Sequence, residues 1–130
     1  MRVREGTSLY HIFFYKDRNG KEPVKEYLQE LAGKNTKDAR IKLRKIQDYI
    51  NILAQFGTRA GEPYTKKIDD KFDIWELRPT SDRILFAAWI NDSFVLLHSF
   101  PKKTQKTPER EKEQARRALK DLRERGIDNE

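Results

Sequence analysis

The chain has 130 residues, with 28 Lys and Arg against 21 Asp and Glu, a formal net charge of +7 and no cysteine. That length suits one hydrophobic core rather than two, and the basic excess favours an anionic partner such as nucleic acid or an acidic protein. Without thiols there is no disulfide framework, thiolate metal site or cysteine nucleophile, and two histidines alone make a zinc enzyme a poor fit, so no cofactor or metal is expected.

A single domain over 1–130 is therefore expected, with the polar residues 1–8 as a lead-in that has no apolar signal core. The longest wholly apolar run, Ile84 to Ile90, is too short to cross a bilayer, which points to the cytoplasm and to no membrane partner. Leu9 to Tyr15 is rich in aromatic and β-prone residues and reads as a first strand, equally suited to a sheet edge. Asp17 to Gly20 supplies a turn. Pro23 suits the first turn of a helix, and Val24, Tyr27, Leu28 and Leu31 recur at helical spacing up to Gly33. A second helix is predicted from a Thr36 cap to about Gly57, with Ala39, Leu43, Ile46, Ile50 and Leu53 as its core stripe. Lys37, Arg40 and Arg44 lie opposite that stripe, as a solvated face or an RNA-docking face.

A loop with Gly57, Gly61 and Pro63 leads through Lys66 and Lys67 to three strands near 72–78, 83–90 and 94–100. Thr107-Pro108 reads as a cap followed by Pro at the first helical position, opening a last helix to about Arg125. Its narrow stripe of Ala115, Ala118, Leu119 and Leu122 predicts weak docking.

Register gathers the candidate site. A two-residue turn at Asn91-Asp92 pairs Arg83 with Phe100, Leu85 with His98 and Ala87 with Leu96; a four-residue turn from Pro79 to Asp82 pairs Glu76 with Leu85. Alternation then puts Glu76, Arg78, Arg83, His98 and Phe100 at one end of one sheet face. Trp75, Leu77, Ile84, Phe86, Ala88, Ile90, Val95 and Leu97 fall on the other, apolar face, which should pack on helices. Carboxylate, imidazole and guanidinium groups crowded at one strand end suit the holding of a phosphodiester and the movement of protons around it. Lys102, Lys103, Thr104, Gln105 and Lys106 follow directly and add ammonium groups for phosphate. Each residue also has a plainer role: Glu76 and Arg78 as a surface ion pair, His98 as a structural histidine, Phe100 as core rather than a base-stacking ring, and the lysines as a solvated loop.

The Asn19-Gly20 turn, Trp75-Glu-Leu-Arg78, Asp82-Arg-Ile-Leu-Phe86, Leu96-Leu-His-Ser-Phe100, and Lys102 to Pro108 before a helix with Ala115 occur together in order. In them the chain resembles the RelE/HigB superfamily of bacterial toxin–antitoxin toxins, in particular its phage-derived HigB-like branch, from about Leu9 to Leu122. The resemblance implies a compact α+β fold, a small twisted antiparallel sheet with helices packed on one face and a C-terminal helix. Its open face would act as a metal-independent ribonuclease on mRNA at the ribosomal A site. It also implies a cognate helix-turn-helix, HigA-like antitoxin, with operator DNA reached only through that partner. Matched onto this chain, the family's arginine after the first sheet turn is Arg83 and its basic pair after the last strand is Lys102 and Lys103. Many relatives carry lysine where Glu76 stands and a late tyrosine that this C-terminal helix lacks. The reaction expected is attack of the RNA 2′-OH on the adjacent phosphate. His98 or Glu76 would be the base, Arg78 and Arg83 the charge stabilisers, and Lys102 or Lys103 the aid to the leaving oxygen. Lys66, Lys67, Phe100, Thr104, Gln105, Lys106, Arg40 and Arg44 would contact RNA. The alternative is a non-catalytic RNA- or ribosome-binding module, in which the same cations only hold phosphate.

Overall fold

A computed structural model of the chain describes residues 9–126, and the expected lead-in at 1–8 lies outside them. The elements run β1 (His11–Phe14), α1 (Pro23–Gly33), α2 (Lys37–Phe56), β2 (Thr65–Asp69), β3 (Ile74–Leu77), β4 (Asp82–Trp89), β5 (Ser93–Pro101) and α3 (Glu109–Arg125). They form an α+β fold around a five-stranded sheet of order β1-β5-β4-β3-β2. Strands β2 to β5 pair antiparallel, whereas β1 joins the edge parallel to β5, with His11 beside Ser93. The sheet is thus mixed rather than antiparallel throughout. Strand β2 holds the Lys66 and Lys67 that sequence assigned to a loop; a register shift between Lys67 and Asp69 breaks the alternation that would have revealed it.

Both early helices follow their sequence signals. Pro23 opens α1, and the Thr36 hydroxyl accepts a 3.1 Å hydrogen bond from the Ala39 amide to cap α2. Val24, Leu31, Ala39, Ile46 and Leu53 pack on Leu77, Ile84, Phe86, Phe94 and Leu96, which fill one face of the sheet.

The other face is not open. Helix α3 lies across it, with Ala115, Ala118, Leu119 and Leu122 packed on Ile74, Leu85, Ala87, Val95 and Leu97. None of the four α3 residues is more than 7% exposed, because two alanines let the helix approach the sheet closely. Polar contacts supplement the narrow stripe. The Tyr15 hydroxyl donates to Asp121 at 2.5 Å, Arg116 reaches Asp69 at 2.7 Å, and Arg125 donates to the Lys16 carbonyl at 2.6 Å. Weak docking of α3 is therefore not what the structure shows.

The β4–β5 hairpin departs from its expected register twice, and the departures cancel. Its turn takes three residues, Ile90, Asn91 and Asp92, with Asn91 and Asp92 at φ of 58° and 54°, a conformation Asn and Asp tolerate best after glycine. Trp89 consequently faces Ser93 and Ala87 faces Val95. A bulge then inserts Leu97 opposite the Leu85/Phe86 step, restoring Leu85 to His98 and Arg83 to Phe100. The shift moves Val95 and Leu97 to the α3 face and leaves Ile90 66% exposed rather than packed on helices.

Candidate functional site

The site end of the sheet is organised around a buried carboxylate. Glu76 pairs with Leu85 across β3 and β4, and its side chain points to the α3 face with only 4% of the residue exposed. Its Oε1 lies 3.5 Å from Arg78 Nε and 3.8 Å from Arg83 Nε, so one carboxylate balances two guanidiniums. Its Oε2 accepts a 2.6 Å hydrogen bond from the Thr107 hydroxyl. Sequence assigned Thr107 to capping α3, yet Pro108 occupies the cap position without a side-chain bond. The hydroxyl is spent on Glu76 because a buried carboxylate oxygen left without a donor is costly.

Arg83 is fixed as firmly. It donates to the Thr80 carbonyl at 3.0 Å and to the Asp82 carbonyl at 2.8 Å, which holds the guanidinium against the β3–β4 turn. Burial pulls its pKa below the ordinary arginine value, and the Glu76 charge opposes that pull. Arg78 Nε is buried without a hydrogen bond among the described residues, and Arg78 also approaches Glu62 at 3.9 Å.

The loop from Lys102 to Lys106 closes over this cluster. Its first amide donates to the Ser81 carbonyl at 2.7 Å, and Thr104 donates to the Lys106 carbonyl at 2.6 Å, while the three lysines stay exposed. Glu76, Arg83, Phe100 and residues 102–108 enclose only about 10 Å³, room for about one water molecule. A phosphodiester can enter this pocket beside Arg83 only if the loop moves, whereas Arg78 lies outside the pocket with a quarter of its side chain exposed.

His98 stands on the same sheet face but opens elsewhere. Its ring stacks on Phe100 with centroids 5.8 Å apart and planes 24° apart, and Nε2 lies 2.7 Å from Glu111 Oε1. It lines a cleft of about 820 Å³ between the β1–α1 turn, α1 and α3, which also contains Tyr15, Tyr27, Arg18, Arg117 and Lys120. Phe100 lines the small arginine pocket and also touches the imidazole, so it stands between the two.

A family model described as "Phage derived protein Gp49-like (DUF891)" matches residues 27–120, from α1 to the last turns of α3. The chain belongs to the Gp49-like family. This is a RelE-like family of type II toxin–antitoxin toxins, and membership implies an antitoxin partner. A search of curated proteins found no match. The Gp49-like match includes Glu76, Arg78, Arg83, His98 and the whole lysine loop.

Of the expected RNA-contacting residues, Phe100, Thr104, Gln105 and Lys106 line the small pocket together with Glu76, Arg83, Lys102 and Lys103. Lys66 sits opposite Glu76 across β2 and β3, on the same face. Lys67 points the other way, 3.1 Å from Asp73 and 5.8 Å above the Trp75 ring. Arg40 and Arg44 belong to α2, in the layer across the sheet, and are not brought to the cluster. Two partners of the candidate residues were missed by sequence reasoning, Thr107 on Glu76 and Glu111 on His98. Both act across the β5–α3 connection, where no periodicity marks a partner. Among the described residues no group of three or more His, Asp or Glu is arranged to hold a metal, and no helix is long and apolar enough to cross a membrane.

Proposed function

We propose that this Gp49-like chain is a ribosome-dependent mRNA endoribonuclease of the RelE/HigB type, held inactive by a helix-turn-helix, HigA-like antitoxin in the cytoplasm. The observation that carries this reading is the pair Arg78 and Arg83 set around Glu76, with Glu76 and Arg83 beneath the Lys102–Lys106 loop. Fixed guanidiniums with adjacent ammonium groups are suited to the charge that builds on a phosphate during displacement.

In the proposed reaction the 2′-oxygen bonds to the adjacent phosphorus and the bond to the 5′-oxygen breaks, leaving a 2′,3′-cyclic phosphate and a 5′-hydroxyl. His98 takes the 2′-OH proton, Arg78 and Arg83 balance the phosphorane charge, and Lys102 or Lys103 supplies a proton to the departing oxygen. Glu76 is a poor base here, because its two oxygens already serve two guanidiniums and the Thr107 hydroxyl. The ribosome would supply the orientation and the loop opening that the closed pocket lacks in the free chain.

A non-catalytic RNA- or ribosome-binding module is the second reading, favoured by the 10 Å³ pocket and by Phe100 standing between His98 and the arginines. Programmed ribosomes incubated with the purified chain separate the two. Site-specific mRNA cleavage with a cyclic phosphate end supports the nuclease, and ribosome binding without cleavage supports the module. Expression in bacteria should arrest growth, and co-expression of the neighbouring antitoxin should relieve it.

A further inference from the structure

The geometry points to Glu111 as the positioning residue for His98, fixing the imidazole so that Nδ1 is the nitrogen that accepts a proton in the cleft. This rests on the nuclease reading and adds to it the atom that acts and the side chain that aims it. The carboxylate of Glu111 can only accept, so Nε2, 2.7 Å from Oε1, carries the ring proton in neutral His98. The lone pair is then on Nδ1, which has no partner among the described residues and is not a buried atom.

Three features keep the pair in register. His98 and Glu111 are each mostly shielded, with side chains 19% and 18% exposed, which strengthens the bond between them. Phe100 stacks on the ring and limits its rotation. The first turn of α3, which carries Glu111, follows directly on Thr107 and its bond to Glu76, so the aim of the imidazole is tied to the arginine cluster through one short connection.

The charged surroundings suit a base that becomes a cation. Glu111 faces Nε2 directly, and its second oxygen lies 3.5 Å from Arg110 Nε. Around the cleft, α3 contributes Arg117, Lys120, Asp121 and Glu124, and the β1–α1 turn contributes Asp17 and Arg18, so cations and carboxylates balance. Once His98 is protonated, the adjacent carboxylate stabilises the imidazolium. The cleft of about 820 Å³ also has room for a nucleotide, which the arginine pocket lacks.

The test combines imidazole nitrogen NMR on the intact chain with cleavage on programmed ribosomes. Wild type should show His98 as the Nε2–H tautomer. Glu111→Ala should give a mixture of tautomers and lower the cleavage rate on the order of 10-fold, part of the roughly 100-fold or greater loss expected for His98→Gln. Glu111→Gln holds the ring in place but can accept from Nε2–H or donate to a bare Nε2, so it should leave the tautomers mixed and recover only part of the rate. In a His98→Gln background, Glu111→Ala should cost nothing further, because its effect runs through the ring. A folded Glu111→Ala chain with an unchanged tautomer, or one cleaving at the wild-type rate, overturns the assignment while leaving the nuclease reading intact. Wild-type chain that binds ribosomes and cleaves nothing overturns both.

Discussion

The hydroxyl of Thr107 donates to Glu76 Oε2 at 2.6 Å, joining the loop ahead of α3 to the carboxylate that separates two arginines. Thr107→Val preserves shape and removes the donor, leaving one oxygen of a buried carboxylate unsatisfied. The expected loss is about 1–2 kcal/mol of stability, measured by urea unfolding. The lysine loop should also become more open to proteolysis at Lys102, Lys103 and Lys106. Unchanged stability and unchanged cleavage at these sites would mean that the bond does not hold the loop.

Glu76→Gln tests whether this carboxylate is a base or a counter-ion. A surface base could be neutralised with little effect on folding, but Glu76 and Arg83 have side chains only 5% and 8% exposed. Removing the charge leaves the buried Arg83 guanidinium without its partner, and breaking such a pair costs about 3–5 kcal/mol. Thermal and denaturant unfolding should therefore show a marked loss. A stable Glu76→Gln chain that binds ribosomes normally and does not cleave would instead make Glu76 the base.

Much of this arrangement is written in local sequence signals. The Thr36 cap, Pro23 and the four-and-three spacing from Ala39 to Leu53 locate α1 and α2, because helix ends and stripes depend on neighbours within a turn or two. The pairing of Arg83 with Phe100 and Leu85 with His98 was also reachable, although by a turn one residue too short and a bulge that compensates at Leu97. What sequence did not disclose is which face α3 covers. Its Ala-rich stripe fits either side of a sheet, and only the packing of Ala115 and Leu119 on Leu85 and Val95 decides it. That choice buries Glu76 and Arg83 and brings Thr107 and Glu111 to them and to His98. It converts an expected open face into a closed pocket and a neighbouring cleft.

The Asp121 anchor of α3 predicts a pH dependence of stability. Hydrogen bonds from Arg125, and also from Tyr15, hold the Asp121 carboxyl well below the usual carboxylate range against the opposing effect of burial. Burial, with Asp121 adding to it, pushes the Tyr15 hydroxyl up to about 12, so it remains a donor at neutral pH. A carboxyl with a depressed folded pKa contributes stability that is fully present above its unfolded value, near ~3.9, and is lost as pH falls through the folded value. Asp121→Asn should therefore cost about 2 kcal/mol at neutral pH and flatten the decline of stability on the acid side. Unfolding free energies across the acid range should converge for wild type and variant. Parallel curves would show that Asp121 carries no such linkage.

Arg83→Lys separates the phosphate-binding role of Arg83 from its structural one. Arg83→Ala removes both, since the guanidinium holds Thr80 and Asp82 carbonyls as well as facing Glu76. Lysine keeps a positive charge beside Glu76, so the buried carboxylate retains a counter-ion and the fold should survive with a modest loss. It lacks the planar fork that donates in two directions at once, so it cannot grip the turn and a phosphate oxygen together. If the nuclease reading holds, cleavage on ribosomes should fall roughly 100-fold, the usual scale for losing one charge-stabilising donor, with ribosome binding nearly unchanged. A lysine variant that cleaves as fast as wild type would place Arg83 in the structure of the turn alone and leave Arg78 and the lysine loop to hold the phosphate.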